Sequence, residues 1–415
     1  MSNVSQLART TDRAPPIARP KVPAPALLTN LLQGTGIHFN GTAPYDIQVY
    51  DRETYRRVLT RGSLGFGEAY MDELWDCPQL DVLFTTLLRT DIDKKLSTLP
   101  KFRLSLNLAT AVITQQLVNL QSRQRAFDVA ERHYDIGNDL FKTMLDPTMS
   151  YSCGYWAHAN TLEQAQLAKL DMICRKLQLQ PGERLLDIGC GWGGLAAHAA
   201  RHYGAEVFGI TVSREQLALA RQCCTGLPIE LALMDYRDLT GSFDKIVSVG
   251  MFEHVGPKNY DEYFAHASHL LGPNGLMLLH TIGNSITRAF TDPWIERYIF
   301  PNGKIPAAQE VTRALEPHLV IRDWHEFGQD YDKTLMAWWH NFDNGWPEMA
   351  RTGGYNQRFY RMWKYYLHTC AATFRSGQSQ LWQLVLTRRG ERPDYRSMRP
   401  VYRTGTANHS TASTH

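Results

Sequence analysis

An α/β fold is predicted for this protein: a mostly parallel sheet with helices on both faces, preceded by a smaller, mainly helical domain. From Glu183 onward, apolar runs of strand length alternate with amphipathic stretches of helical length. The first of these runs ends in a glycine cluster, LDIGCGWGG (186–194), the sequence mark of a strand turning tightly into a helix. The length, 415 residues, is too great for one ordinary domain, and the long stretch before Glu183 lacks the alternation.

Residues 1–25 carry Pro15, Pro16, Pro20, Pro23 and Pro25 among Arg and Ala, and are expected to form a disordered arm. Residues 26–125 make the N-terminal domain. It has a helix at Leu27–Gln33, a turn-rich stretch at Gly34, Gly36 and Gly41, and helices near Tyr55–Thr60 and Leu80–Arg89. Its last segment, Phe102–Leu120, places Leu106, Ala109, Val112, Ile113, Gln116, Leu117 and Leu120 on one side at helical spacing. Lys94, Lys95, Lys101, Arg103, Arg123 and Arg125 flank it. Two readings stand: a core-packing helix with solvated ends, or a basic amphipathic element lying on anionic lipid headgroups.

The main domain spans 126–390. Strands are expected at Arg184–Ile188, Glu206–Ile210, Pro228–Met234, Phe243–Val249 and Leu276–His280, with helices at Leu195–Tyr203, Ser213–Cys223 and Tyr260–Leu271. Leu319–Glu326 and Leu381–Thr387 are late strands that complete the sheet. Residues 391–415 form a polar tail ending ANHSTASTH.

Composition excludes several classes. Apolar residues at 43% and charged residues at 20% are globular usage, which argues against wholesale disorder. With 44 Lys and Arg against 41 Asp and Glu, the net charge of +3 is too balanced for a dedicated nucleic-acid binder. No run approaches the roughly 18 apolar residues needed to span a bilayer, and the N-terminus lacks the apolar stretch of a secretory leader. Seven Cys with no Cys-x-x-Cys pair fit neither a disulfide framework nor a structural zinc site. A cytoplasmic protein with reduced thiols is expected, and any membrane contact is peripheral.

Gly189, Gly191 and Gly194 satisfy the G-x-G-x-x-G dinucleotide pattern. Two details favour S-adenosylmethionine over a dinucleotide. Asp187, at the strand end, can face the ammonium of a methionine moiety, whereas it would repel a pyrophosphate. The ribose-binding acid of an NAD site is missing from the end of the second strand, which reads Gly209-Ile210-Thr211. The alternative for Asp187 is a helix-capping carboxylate. Thr211 to Gln216 could meet the adenosine sugar, with Ser213 equally well a plain N-cap. Asp235 and Tyr236 follow the third strand, where an adenine could lie.

In parallel sheets the chemistry gathers at the carboxyl ends of strands. Glu253 and His254 lie at the tip of the fourth, and His280 at the tip of the fifth. Glu253 and His280 on successive tips can hold and orient a proton acceptor; two such ligands are too few for a catalytic zinc, and no metal is expected. Cys153 is read as a small buried residue whose loop amide can bind an anion. Tyr151, Tyr155, Trp156, Phe252, Trp338, Trp339, Trp363, Tyr365 and Tyr366 are mostly core, with rings available to shield a cation.

These residues resemble the cyclopropane and mycolic-acid synthases, and among them the bacterial cyclopropane-fatty-acyl-phospholipid synthases. The matching stretches include HYDIGNDLF (133–141), DPTMSYSCGYW (146–156), LDIGCGWGGL (186–195), IVSVGMFEHVGPKNYD (246–261), LLHTIG (278–283) and FRSGQSQLWQ (374–383). The likeness runs from Leu27 to Arg389, including a region that the shorter mycolic-acid synthases lack. It implies a Rossmann-like class I methyltransferase fold with a mostly parallel seven-stranded sheet. It implies transfer of a methylene group from S-adenosylmethionine to the cis double bond of acyl groups in phospholipids, with a bound bicarbonate as base. The bicarbonate positions carry over to Cys153, Glu253, His280, Ile282 and Tyr331, the first and fourth partly through backbone groups. Cofactor positions carry over to Tyr151, Ser152, Asp187, Gly189, Gly191, Thr211, Gln216, Asp235 and Tyr236. Partners implied are an unsaturated phospholipid bilayer, touched peripherally at the inner face of the membrane by the N-terminal domain, and a second copy in a homodimer; nucleic acid is not among them. The rival readings are a methyltransferase acting on acyl carbon to give methyl-branched products, a methyltransferase of small soluble amines, and a non-catalytic lipid-binding relative.

Overall fold

The structure is a computed structural model and describes residues 19–90 and 137–398, apart from 289, 353 and 393. The helix expected at Phe102–Leu120, the basic residues around it, the first part of the N-terminal arm and the end of the tail lie outside the described residues.

The N-terminal region contains α1 (Ala26–Leu32), β1 (Gln48–Val49), α2 (Glu53–Met71), β2 (Trp75–Asp76) and α3 (Leu80–Arg89). The short strands β1 and β2 pair antiparallel. Helix α2 runs well past the expected Thr60 and kinks at Gly62, whose φ of 54° and ψ of −132° suit only glycine. The last residues assigned to the disordered arm are instead pinned. Arg19 pairs with Glu73 at 2.8 Å, and the Val22 carbonyl accepts from Asn40 Nδ2 and the Tyr55 hydroxyl, both at 2.8 Å. The start of the polar tail is likewise held, since the Tyr395 hydroxyl donates to the Lys176 carbonyl at 3.0 Å and Asn274 N–H donates to Glu391 at 3.0 Å.

The main domain continues with α4 (Asn138–Met144), α5 (Leu162–Lys176), β3 (Arg184–Ile188), α6 (Gly194–Tyr203), β4 (Glu206–Thr211), α7 (Arg214–Cys223), β5 (Ile229–Leu233), β6 (Phe243–Val249) and α8 (Tyr260–Leu270). Then come β7 (Leu271–Asn284), α9 (Pro293–Tyr298), α10 (Ala308–Leu315), β8 (Leu319–Glu326), α11 (Gln329–Thr352), α12 (Gln357–Arg375) and β9 (Ser379–Arg388). The seven-stranded sheet has the order β5-β4-β3-β6-β7-β9-β8. It is parallel from β5 to β7, and β9 runs antiparallel to both of its neighbours.

Both faces of the sheet are covered, so its strands are apolar on both sides. Leu186, Ile246, Leu279 and Leu384 face one apolar layer, which includes Phe264 of α8 and Val311 of α10. Their neighbours Leu185, Val247, Leu278 and Val385 face the other, with Ile173 of α5 and Ala196 of α6.

A third apolar cluster unites the two parts of the protein. It runs from Leu28, Tyr70, Trp75 and Leu83 into Phe141, Trp294, Trp338, Trp363 and Phe374. At its edge, Gly67 of α2 lies so close to Trp294 that a Cβ there would sit 2.3 Å from the indole Cδ1. Arg361 of α12 is buried over the Tyr70 ring at 3.8 Å, and donates to the Tyr70 and Trp75 carbonyls at 2.5 and 2.9 Å. Arg375 bridges Asp81 of α3 at 2.6 Å and Asp332 of α11 at 2.8 Å.

Candidate active site

The glycine cluster turns the backbone from β3 into α6. Gly193, at φ 85°, is the left-handed residue that starts the helix, and no side chain caps that end. Gly194 allows close packing, because a Cβ there would lie 2.2 Å from the Thr148 carbonyl oxygen. The turn thereby presses against the loop 146–156. Asp146 shapes that loop by accepting from the N–H groups of Thr148 and Ser150 at 2.9 and 3.1 Å. Gln166 and Lys169 of α5 hold its middle: Gln166 Nε2 donates to the Ser152 carbonyl at 2.8 Å, and Lys169 Nζ donates to Ser152 Oγ at 2.9 Å.

Between loop and sheet lies a cleft partly open to solvent. Its walls include Tyr151, Ser152, Asp187, Gly189, Gly191, Thr211, Gln216, Asp235 and Tyr236, so all nine expected cofactor positions converge on one space. Asp187 is buried, and its Oδ2 has no hydrogen-bond partner among the described residues. It caps no helix, which removes the capping reading. Burial pushes its carboxyl up to about 7, against the pull of the Lys169 ammonium. An ammonium arriving at Oδ2 would satisfy this oxygen and restore the carboxylate. The Thr211 hydroxyl donates to Gln216 Oε1 at 2.9 Å. Ser213 is the N-cap of α7, accepting from Gln216 N–H. Asp235 is gripped by Arg237 at 2.8 Å through both carboxylate oxygens.

The five positions assigned to bicarbonate do not line this cleft; they form the packed wall next to it. Glu253 Oε1 accepts from the Ile282 N–H at 2.7 Å, joining the tip of β6 to β7. Cys153 belongs to an apolar cluster against which Ile282 and Tyr331 pack. Its neighbour in that cluster, Phe327, lies 5.9 Å from the His280 ring. Glu253 Oε2 and His280 Nε2 are both buried without a hydrogen-bond partner among the described residues. Burial raises the Glu253 carboxyl, opposed by the Ile282 N–H. Burial also drives the His280 imidazole well below its usual range, helped by the positive field of Lys169 and Lys176, so the ring is neutral at pH 7. The Cys153 thiol and the Tyr331 phenol are pushed well up by burial and keep their protons. Cys153 is therefore no thiolate nucleophile. Tyr331 stands in the first turn of α11 and stacks on Phe374 at 4.6 Å. Glu253 Oε2, His280 Nε2 and the Tyr331 phenol are polar groups set in an apolar surround. No cluster able to hold a metal exists among the described residues.

A family model described as mycolic acid cyclopropane synthetase matches residues 121–384. The chain belongs to the mycolic acid cyclopropane synthetase family. As a member, it is an S-adenosylmethionine-dependent methyltransferase. It is 52% identical to the cyclopropane-fatty-acyl-phospholipid synthase of Escherichia coli (strain K12) over 362 residues, 87% of this chain and 93% of that one. It is 33% identical to the tuberculostearic acid methyltransferase UfaA1 of Mycobacterium tuberculosis over 353 residues, covering 81% of each. The solved mycolic acid cyclopropane synthase CmaA1, complexed with SAH and CTAB, superposes with a TM-score of 0.58 at 33% identity, over 63% of this chain and 97% of that one.

Lys169, Trp192 and Asn302 also line the cleft and escape the sequence reading; His254, named there only for its place at a strand tip, joins them. Burial pulls the Lys169 ammonium down to about 8, with Asp146 opposing, and takes the His254 imidazole to about 4. The helical spacing of Leu162, Gln166, Lys169 and Ile173, all buried on α5, is the pattern that could have exposed Lys169.

Proposed function

We propose that the protein transfers a methylene group from S-adenosylmethionine to the cis double bond of an acyl group in a membrane phospholipid, closing a cyclopropane ring. The reading is supported chiefly by the likeness to the Escherichia coli synthase over nearly the whole length of both proteins. The alkene carbon attacks the sulfonium methyl, and S-adenosylhomocysteine leaves. The resulting carbocation must lose a proton from the new methyl before water reaches it. Bicarbonate, held beside the cofactor cleft, would supply the base.

The residues have distinct tasks in this reading. Asp187 binds the ammonium of the methionine moiety. Glu253 and neutral His280 present hydrogen-bonding atoms to the anion, Tyr331 donates its phenolic proton, and the backbone at Cys153 and Ile282 completes the grip. The Ile282 N–H is committed to Glu253 Oε1 and its carbonyl accepts from the Thr281 hydroxyl at 3.1 Å, so the carbonyl's second lone pair is what would meet the anion's O–H. Phe327, Leu381 and the stack of Tyr331 on Phe374 make the base side of the site apolar, which would limit water there. The protein is a peripheral enzyme of the inner membrane face and works as a homodimer in this proposal.

The test is mass spectrometry of cis-unsaturated phospholipid vesicles after incubation with labelled S-adenosylmethionine, with and without added bicarbonate. Acyl groups heavier by one CH₂ and lacking the alkene support the reading. A methyl-branched product would instead support the rival reading of a methyltransferase acting on acyl carbon.

A further inference from the structure

Lys169 is a buried cation that the proposed chemistry leaves unused. It is 2% exposed, and among the described residues its ammonium has one hydrogen bond, to the neutral Ser152 hydroxyl at 2.9 Å. An ammonium carries three donors, and removing it from water costs several kcal/mol unless a partner is present. Asp146 and Asp187 act on it through space, while its hydrogen bond among the described residues goes to the uncharged Ser152 hydroxyl. Asp187, 1% exposed, has an oxygen with no hydrogen-bond partner among the described residues. These two opposite, incompletely satisfied charges line the same cleft.

We propose that Lys169 and Asp187 form a clamp for the zwitterionic end of an α-amino acid, Asp187 taking the ammonium and Lys169 the α-carboxylate of the methionine moiety. The proposal rests on the reading of the cleft as the S-adenosylmethionine site. It explains the placement of each charge by the other: a ligand with both signs of charge offsets the burial of both residues, and one lacking its carboxylate strands the lysine. The Ser152 hydroxyl holds the ammonium on the cleft side, and Gln166 from the same helix fixes the Ser152 backbone. The lysine selects for the amino-acid form of the cofactor.

Calorimetry on the full-length protein tests this with two ligands, S-adenosylhomocysteine and its decarboxylated counterpart. Wild type should prefer the carboxylated ligand by about 10- to 100-fold. Lys169→Met should weaken S-adenosylhomocysteine by a similar factor and leave the decarboxylated ligand within about two-fold. Equal weakening of both ligands would overturn the clamp and leave Lys169 as a support for the loop. Unchanged binding of both, with more bicarbonate needed for half-maximal turnover, would overturn it by assigning the cation to the second anion. If Lys169→Met does not fold, wild type alone decides, because equal affinity for the two ligands sinks the proposal. Failure of wild type to bind S-adenosylhomocysteine at all would sink the cleft assignment, and the clamp with it.

Discussion

His280 and Gln383 face each other across β7 and β9, with the amide Nε2 3.1 Å from the imidazole Nδ1. An amide N–H directed at Nδ1 makes that nitrogen the acceptor and places the ring proton on Nε2, the atom left open at the site. Gln383 has a second cross-strand neighbour, His325, whose own Nδ1 lies 3.0 Å from the buried Lys176 ammonium. Replacing Gln383 by Leu releases the tautomer. The kcat should fall about 10-fold, the equivalent of one lost hydrogen bond, with S-adenosylhomocysteine affinity unchanged. A wild-type rate in the variant would remove Gln383 from any positioning role.

Glu253→Gln keeps an oxygen able to accept from Ile282 N–H, so the junction of β6 and β7 should survive. Its other end becomes an amide. Cofactor affinity should stay within about two-fold while turnover on vesicles falls about 100- to 1,000-fold. Comparing calorimetry with single-turnover rates separates the two effects.

Asp187 gives a pH dependence of known sign. Its carboxyl binds a proton more tightly in the folded protein, at about 7, than at its ordinary 3.8. Stability of the unliganded protein should therefore fall as pH rises from the ordinary carboxylate range through about 7. Asp187→Asn removes this loss, so its Tm at pH 8 should exceed that of wild type even as cofactor affinity drops. For wild type, cofactor binding should weaken as pH falls below about 7, because the protonated acid cannot pair with an ammonium. Thermal scans and titrations across that range check both slopes.

Gly67→Ala should drive a methyl group into the Trp294 indole. Overpacking of this kind costs about 1–3 kcal/mol. The midpoint of denaturant unfolding should drop accordingly, and Gly67→Ser should be no better tolerated.

The basic stretch around Phe102–Leu120 is tested by replacing Lys94, Lys95, Lys101 and Arg103 with Gln. Binding to anionic vesicles should weaken by about 1 kcal/mol per charge removed, while binding to neutral vesicles stays as it was. Equal loss on both would assign the segment to the core.

The strands Arg184–Ile188, Phe243–Val249 and Leu319–Glu326 have the bounds that their apolar runs suggest, the first two inside the sheet and the third at its edge. The fifth strand runs past His280 to Asn284, where pairing with β9 extends it. That partner is distant in sequence and leaves no local pattern. Helices α11 and α12 were hidden for different reasons. Gly345 and Pro347 interrupt the first, and the Trp and Tyr residues of the second answer to the N-terminal helices more than to helical propensity. The cleft was legible because glycines and a strand-end acid have a local mechanism. Glu253 and His280 are legible at strand ends and Cys153 through its loop, whereas Ile282 and Tyr331 come from resemblance alone, with no spacing to reveal them. Lys169 and Gln383 make their key contacts with Ser152 and His280, separated by 17 and 103 residues, so their meaning appears only once the protein is folded.

The apolar cluster that joins the N-terminal helices to α9, α11 and α12 constrains how this architecture can change size. CmaA1 matches only 63% of this chain, yet an equally short descendant could not arise here by truncating the gene. Trp294 and Tyr365 would lose Gly67 and Phe84 as cover, and a greasy wall would face water. Any lineage that sheds the front layer has to repaint that wall with polar side groups first, so insertion or loss of the layer is written in the sequence of α9 and α12 as much as at the amino terminus.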